Sequence, residues 1–323
     1  MTKRLQNRLA ESRQLMTGVM GYGLMVWLAS GIVHPYYTLE SSGPTNFAWI
    51  QLLCFILSAT LLAVLNNTYS LIRVFSRTVS STFIMLTCAT CFQFNSMSGA
   101  IVSLCMSAFF LLFFHTYQDK ESPGWTYYAF LCLGLGSLVF VRLFVYVPLL
   151  WLMMAFQLNS VSVRTVVASI LGLITPYWFI IPYFLVTGNT EWLIHHFQPL
   201  VIWDLTPDYS HWTLNQLVTL ALIVLVGATG AIHCLRNYYA DKVRTRLFYS
   251  IFNYLMLATL VLTALQPALY DELTRILIIC VSPLAAHFLT LTHTRLTNIS
   301  VLCCIAITLL ITLVNLWMPS LSF

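Results

Sequence analysis

The stretch Tyr127–Gln157, YYAFLCLGLGSLVFVRLFVYVPLLWLMMAFQ, decides how the chain is threaded. Its 31 residues are almost entirely apolar, and Arg142 is the one charged residue among them. A membrane-spanning helix needs about 20 residues, so the stretch is too long for one comfortable span and too short for two full ones. It either crosses a bilayer once or enters and returns on the same side. Every later loop changes side with that choice.

The rest of the chain has the composition of a membrane protein. Of its 323 residues, 59% are hydrophobic and only 8% are charged, and the mean hydropathy is +0.83. A soluble domain has about 25% charged residues. We therefore predict an all-α polytopic bundle, with residues 1–323 forming a single integral membrane domain and no separate soluble domain. The predicted spans are residues 15–33, 47–66, 79–94, 98–115, 127–141, 143–157, 164–187, 212–234, 247–266, 275–292 and 298–317.

The positions of basic residues distinguish the two possible topologies, because lysine and arginine near span ends stay on the cytoplasmic side. Eleven crossings leave only Arg142 and Arg275 outside and place thirteen basic residues inside. A single crossing at 127–157 would give eight inside, six outside and Arg142 within the membrane. We therefore predict a there-and-back excursion, either two short spans or a re-entrant hairpin, with the amino terminus inside and the carboxyl terminus outside. The thirteen inside residues are Lys3, Arg4, Arg8, Arg13, Arg73, Arg77, Lys120, Arg164, Arg236, Lys242, Arg244, Arg246 and Arg295.

Two classes of function are disfavoured by the pattern of charges and thiols. The basic residues are scattered between apolar runs rather than gathered on one face, so no nucleic-acid partner is predicted. All nine cysteines lie in apolar runs or at their ends, which is typical of packing residues. Cys88 and Cys91 form a CxxC pair that stands without the further ligands of a tetrahedral metal site. No metal and no cofactor are predicted.

The longest predicted outer loop, Gly188–His211, concentrates polar and aromatic side chains. Histidines and carboxylates could perform acid/base work or bind a metal, and indole rings could stack against a sugar or a lipid headgroup. Alternatively, the segment is amphipathic, bends at Pro199 and lies on the outer leaflet. The candidate binding residues are Trp192, His195, His196, Trp203 and His211, and the candidate catalytic residues are Asp204 and Asp208.

Three further ionisable residues fall near or within apolar stretches. Arg142, at the tip of the 127–157 excursion, either holds a phosphate through its guanidinium or extends to the outer headgroups. Arg275 follows Asp271 and Glu272, which favours a local ion pair at a helix start. His287 is the histidine clearly at membrane depth, and we interpret it as a packing or hydrogen-bonding residue.

Residues 111–188 resemble a Bacteroidetes family of polytopic inner-membrane proteins that carry a domain of unknown function. The features that carry the resemblance are the turn Tyr117–Lys120, the glycine-rich run Gly134–Ser137, Pro148 with Trp151, and the stretch Ala168–Tyr177. The resemblance implies a location in the bacterial inner membrane. It implies no activity and no catalytic residue.

The overall layout also loosely resembles polyprenyl-phosphate-dependent glycosyltransferases. Those enzymes place an acidic catalytic residue in a substantial first outer loop, whereas the loop His34–Asn46 is short and offers only Glu40. The resemblance implies that Glu40 acts as base or metal ligand, that Arg142 holds the phosphate, and that the 188–211 loop receives the acceptor.

Three functions are therefore carried forward. The first is a structural or accessory component of the cell envelope, which predicts a stable protein partner. The second is a membrane-embedded transferase that acts on a lipid-linked substrate at the outer face. The third is a carrier for a lipid or a small solute, for which His287 and Asn253 are among the few polar groups near the middle of the bilayer.

Overall fold

The computed structural model describes residues 12–33, 46–74, 76–188, 190–203, 209–210, 212–292 and 294–317, and all regular structure in these residues is helical. The twelve α-helices are α1 (Arg13–Val33), α2 (Asn46–Tyr69), α3 (Thr78–Ala89), α4 (Met97–Phe113), α5 (Pro123–Ser137), α6 (Val147–Met153), α7 (Val163–Val186), α8 (Thr190–Val201), α9 (Leu214–Arg236), α10 (Val243–Leu265), α11 (Tyr270–Leu291) and α12 (Arg295–Trp317). Short 3₁₀ segments extend or join several of them, at Cys91–Asn95, Phe114–Thr116, Val141–Tyr146, Tyr238–Ala240 and Pro267–Leu269.

Nine helical segments of the described residues are long and apolar enough to cross a membrane. All eleven predicted apolar stretches are largely helical, but two of them form shorter helices, α3 and α5, of 12 and 15 residues. Twelve residues of α-helix rise only about 18 Å, against an apolar bilayer core of about 30 Å. The 3₁₀ segment Cys91–Asn95 follows α3 almost directly and lengthens its path. The protein thus has the architecture of a polytopic membrane protein.

The stretch 127–157 runs out and back, as the charge pattern predicts. Its first arm is α5 and its second arm is the continuous helical segment from Val141 to Leu158. The two ends of this hairpin meet, because the amide of Gln118 donates to the carbonyl of Leu158 over 2.8 Å. The Ser162 hydroxyl donates to the carbonyl of Lys120 over 2.9 Å at the same place.

Glycines allow two helix pairs in this bundle to approach closely. A Cβ on Gly172 of α7 would lie 2.5 Å from the carbonyl oxygen of Tyr127, at the start of the hairpin. A Cβ on Gly230 of α9 would lie 2.5 Å from the carbonyl carbon of Leu284 on α11. Small residues at such contacts are typical of membrane helices, whose association depends on close packing. The second contact holds α9 against α11, where the candidate site lies.

Helix α11 is the centre of the bundle. In the segment Pro267–Leu291, 89% of the positions are buried, and the next most buried span reaches 56%. The side chain of Thr82, on α3, donates to the carbonyl of Ser282 in the middle of α11 over 3.0 Å. By contrast, the outer surface is apolar, since Trp178 and Phe179 are each 72% exposed. A surface of this kind suits contact with lipid rather than with water.

The bundle has two ends that differ in charge. At the basic end, the Arg244 guanidinium lies 5.0 Å from the ring centre of Tyr69 and 5.6 Å from that of Tyr117. Arg73 and Lys120 belong to the loops of this same end. At the opposite end, the Ser98 hydroxyl donates to Glu272 over 2.6 Å. Three residues predicted to share a compartment, Arg73, Lys120 and Arg244, therefore lie at one end.

Candidate functional site

Two of the predicted loop residues, Trp192 and His196, lie in an aromatic stack on α8. The Trp192 ring packs against Phe184 at 4.3 Å and against His196 at 4.7 Å, nearly parallel to both. His196 Nε2 lies 3.1 Å from the Tyr177 hydroxyl, which in turn lies 2.9 Å from the Ser137 hydroxyl. Burial lowers the pKa of His196, which favours the neutral ring. These contacts anchor α8 to α7 and to the hairpin.

The other predicted loop residues do not join this stack. His195 is exposed, and its Nδ1 lies 3.3 Å from the side-chain oxygen of Gln198. The Trp203 indole donates to the carbonyl of Leu200 over 2.9 Å. His195 and His196 thus face different neighbours and do not converge on a ligand. The candidates Glu40, Asp204, Asp208 and His211 lie outside the described residues and stay predictions.

Arg142 lies at the hairpin tip, in the segment Val141–Tyr146, which packs against α8. The structure therefore packs the segment that contains the predicted phosphate-binding residue against the helix that carries Trp192 and His196. Its guanidinium donates a hydrogen bond to the side-chain oxygen of Gln266, between α10 and α11. This contact joins the hairpin tip to the turn between α10 and α11, at the end of the bundle away from the basic one.

The predicted local pairing of Arg275 is present as an electrostatic interaction with Asp271, one turn earlier on α11, and not as a direct ion pair within the described part of the chain. Its side chain is 4% exposed and lies over the Phe94 ring, 5.4 Å from the ring centre. Among the described residues no carboxylate directly contacts its guanidinium, and its Nε is buried without a hydrogen-bond partner. Glu272 instead accepts from Ser98. Gly99 leaves the room that Arg275 occupies, since a Cβ there would lie 3.2 Å from the Arg275 Cγ.

An apolar cavity of about 610 Å³ lies between α1, α3, α9, α11 and α12, in the half of the bundle nearer the basic end. Its walls include Leu225 and Ile307, which are 65% and 49% exposed, so the cavity opens on the lateral surface. The hydroxyl of Thr82 in the wall is satisfied by backbone carbonyls. The cavity therefore offers an apolar guest dispersion contacts and few polar partners.

A chain of four polar side chains adjoins this cavity at the basic end. The Arg73 guanidinium donates to Asp241 Oδ1 over 2.8 Å, and Asp241 Oδ2 lies 3.0 Å from His287 Nε2. The other ring nitrogen of His287, Nδ1, lies 3.1 Å from Nδ1 of His233. The side chain of His287 is fully buried and that of Asp241 is 4% exposed. We call these four residues the His287 chain.

Further contacts fix the geometry of the His287 chain. The edge of His287 packs on the Tyr249 ring at 4.8 Å, and the Tyr249 hydroxyl donates to the carbonyl of Leu71 over 3.2 Å. Arg246 Nε donates to the backbone carbonyl of Asp241 over 2.7 Å, which holds the loop that presents this carboxylate. A carboxylate that orients a histidine in this way also selects which ring nitrogen carries the proton.

His233 lies beside the cavity wall, although it is not itself one of the lining residues. It lies on α9 one turn beyond Thr229, which lines the cavity. Its ring also contacts Phe288 at 5.5 Å, and Phe288 is another cavity residue. The apolar cavity thus ends beside the imidazole of His233, which also contacts the buried His287. This arrangement suits an amphiphile with an apolar body and one polar group.

No protein family, curated protein or solved structure matches this chain. The resemblances drawn from the sequence accordingly stay predictions.

His233, Asp241 and Arg73 were not predicted to join His287 in one chain of contacts. Two signals pointed towards them. Asp241 is the only acidic residue among the cations of the 236–246 loop, and His233 lies at the end of a span predicted to finish on the same side as His287. Neither signal identifies a contact, because the pairing depends on how α9 and α11 are rotated.

Proposed function

We propose that the protein is a carrier for a lipid or another apolar molecule, whose hydrocarbon part occupies the cavity between α1, α3, α9, α11 and α12. The observation that supports this proposal is the cavity itself, which is apolar, open on the lateral surface and bordered at one end by the His287 chain. Its volume of about 610 Å³ falls within the range of small-molecule sites. A lateral opening would admit a guest directly from the surrounding bilayer.

The two other functions find less support in the geometry. The transferase hypothesis depends on Glu40, Asp204 and Asp208, none of which is among the described residues, and on Arg142, which bonds to Gln266. The envelope-component hypothesis makes no use of a ligand-sized cavity. It still predicts a protein partner that stays bound after extraction in mild detergent.

We further propose that the chain crosses the bacterial inner membrane eleven times, with the basic end in the cytoplasm. Arg73, Lys120 and Arg244 lie at that end, and positive charge is retained on the cytoplasmic side. A reporter fused after Lys242 should then be cytoplasmic, and one fused after Glu191 should be extracytoplasmic. Finding both reporters in one compartment would refute this orientation.

A bulky side chain in the cavity tests the carrier proposal. Gly18 lines the cavity, and a Cβ added there would meet no atom within 4 Å, so Gly18→Trp should fill the space without a backbone clash. Gly21→Trp is the matched control, because Gly21 lies on the same helix, is equally uncrowded and is not among the cavity residues.

The readouts are photolabelling by a diazirine-bearing hexadecyl probe and movement of a fluorescent single-chain lipid across proteoliposomes. The wild type and Gly21→Trp should be labelled on α11 or α12 and should move the lipid, whereas Gly18→Trp should lose both activities. Absence of labelling in the wild type, or equal activity of the two variants, would refute the proposal.

A further inference from the structure

We propose that the ligand of this cavity carries a hydroxyl group that donates a hydrogen bond to Nε2 of His233. The ligand class is then a neutral long-chain alcohol rather than an anionic amphiphile. This inference rests on the proposed function, because it requires an occupied cavity. It follows from the order in which the His287 chain must place its protons.

The first proton is fixed by Asp241. Arg73 donates to Oδ1 of Asp241 over 2.8 Å, and a guanidinium stays charged, so the carboxylate is ionised. An ionised carboxylate can only accept hydrogen bonds. The 3.0 Å contact between Asp241 Oδ2 and His287 Nε2 therefore requires a proton on Nε2 of His287.

The second step concerns the other nitrogen of His287. A second proton there would place an imidazolium in a fully buried position, beside a carboxylate that Arg73 already neutralises. Burying such an uncompensated charge is costly. Nδ1 of His287 consequently keeps its lone pair and accepts from Nδ1 of His233 over 3.1 Å.

Nε2 of His233 is consequently a hydrogen-bond acceptor. A neutral imidazole has one donor and one acceptor, so a proton on Nδ1 leaves a lone pair on Nε2. No described residue forms a hydrogen bond with Nε2 of His233. The ring is half-buried against Phe288, where the cavity wall ends. An acceptor that no described residue satisfies thus lies next to the cavity.

The chemistry of the matching group follows from this polarity. A hydroxyl supplies the donor that Nε2 lacks, while a carboxylate or phosphate supplies only further acceptors. Arg73 and Arg246 are the cations that contact this chain, and both are bonded to Asp241, through its carboxylate and its backbone carbonyl respectively. An anionic headgroup would have to compete with these bonds.

A matched pair of ligands isolates the single hydrogen bond. Hexadecanol and hexadecyl methyl ether share the same chain, but only the alcohol can donate. Competition against the hexadecyl photoprobe on the purified full-length protein should give about tenfold tighter binding for the alcohol. Palmitate, the anionic counterpart, should compete more weakly than the alcohol.

Variants of His233 identify the acceptor. His233→Phe keeps an aromatic ring against Phe288 and should make alcohol and ether equal, whereas His233→Gln supplies a carbonyl oxygen and should keep part of the preference. His195→Phe is the control, because His195 is exposed on α8 at the opposite end, and it should keep the full tenfold preference. If His233→Phe fails to fold, the wild type and His233→Gln still decide.

The outcomes separate the two proposals. Equal competition by alcohol and ether in the wild type, or stronger competition by palmitate, would overturn the hydroxyl inference while leaving the carrier standing. Failure of all three ligands to displace the probe, or of Gly18→Trp to abolish its binding, would overturn the carrier proposal itself.

Discussion

The two ends of α11 carry equally buried ionisable groups in opposite situations. Near the basic end, His287 has a partner for each ring nitrogen, and the chain continues to Arg73. Towards the opposite end, Arg275 lies over Phe94, and among the described residues its Nε has no hydrogen-bond partner and Asp271 acts on it only electrostatically, without direct contact. Burial alone therefore does not determine the role of an ionisable residue in this bundle. That role depends on which side chains the neighbouring loops and helices bring into contact with it.

The difference is visible in the neighbours as well. The partners of His287 are His233 on α9 and Asp241, whose carboxylate accepts from Arg73 and whose backbone carbonyl accepts from Arg246. At Arg275, by contrast, the buried Nε has no hydrogen-bond partner among the described residues. An unmade hydrogen bond of a buried group costs about 1–3 kcal/mol. The two ends should consequently respond very differently to substitution.

The largest effect is expected when Asp241 is removed. Asp241→Ala leaves the N–H of His287 buried without an acceptor and releases Arg73, so the free energy of unfolding should fall by about 3 kcal/mol. Asp119→Ala, at an exposed carboxylate of the same end, should change it by less than about 0.5 kcal/mol. Denaturant-induced unfolding in detergent measures both. Equal effects would mean that the His287 chain contributes nothing to stability.

A slightly smaller effect is expected at the contact that holds α9 against α11. The new Cβ of Gly230→Ala would lie 2.5 Å from the carbonyl carbon of Leu284, so the helices must separate, at a cost of about 2 kcal/mol. The same shift should lengthen the contact between His233 and His287 and reduce the preference for the alcohol. Gly18→Ala meets no atom within 4 Å and serves as the control. A variant that unfolds like the wild type would show that this contact is loose.

Arg275→Met sharpens the comparison from the other end. Replacing a buried cation that lacks a hydrogen bond by an apolar side chain of similar length is often neutral or stabilising. We expect the free energy of unfolding to change by less than about 1 kcal/mol, because the lost contact with Phe94 and the lost attraction of Asp271 are offset by removal of a buried N–H without a hydrogen bond among the described residues. A loss as large as that of Asp241→Ala would show that Arg275 is as firmly paired as His287, and the contrast between the two ends would disappear.

The smallest effect concerns the pH dependence of the α8 anchor at the opposite end. Burial lowers the pKa of His196 below its usual value, so the undocked form binds the proton more readily. Stability from this contact should be complete above pH about 6.5 and should decrease as the pH falls below that value. The ring is partly exposed, so solvent keeps the effect small. The thermal midpoint of the wild type should fall towards that of His196→Phe as the pH decreases, because only the wild type has a titrating group there. A difference between the two midpoints that grows at low pH would contradict this prediction.

The sequence is sufficient for the coarse fold because apolar stretches and loop charges act locally. Residues 127–157 had the wrong length for one span, and the basic residues after them favoured a return; in the structure the two ends of the stretch meet, where Gln118 bonds to Leu158. The short length of α3 could not be predicted in this way. Its apolar run continues through Cys91–Asn95, where the backbone tightens into a 3₁₀ turn without a proline or glycine to signal the change.

The candidate site was predictable only where its residues are neighbours in the chain. Trp192 and His196 are four residues apart on one helix, so their stacking follows from the helical repeat. The pairs of the His287 chain are separated by 168, 46 and 54 residues. Such contacts depend on the rotation and tilt of whole helices, which hydropathy does not specify. The cavity has the same origin, since five helices contribute to its walls.

The central position of α11 has a consequence for biosynthesis. Asp271, Glu272, Arg275 and His287 all lie on this one helix, and each ionisable group weakens its insertion as an isolated segment. The partners of His287 on α9 and in the 73 and 241 loops emerge from the ribosome before α11 does. When α11 leaves the translocon, it should therefore contact helices that are already inserted rather than lipid alone. A nascent chain that lacks α9 should leave α11 poorly inserted.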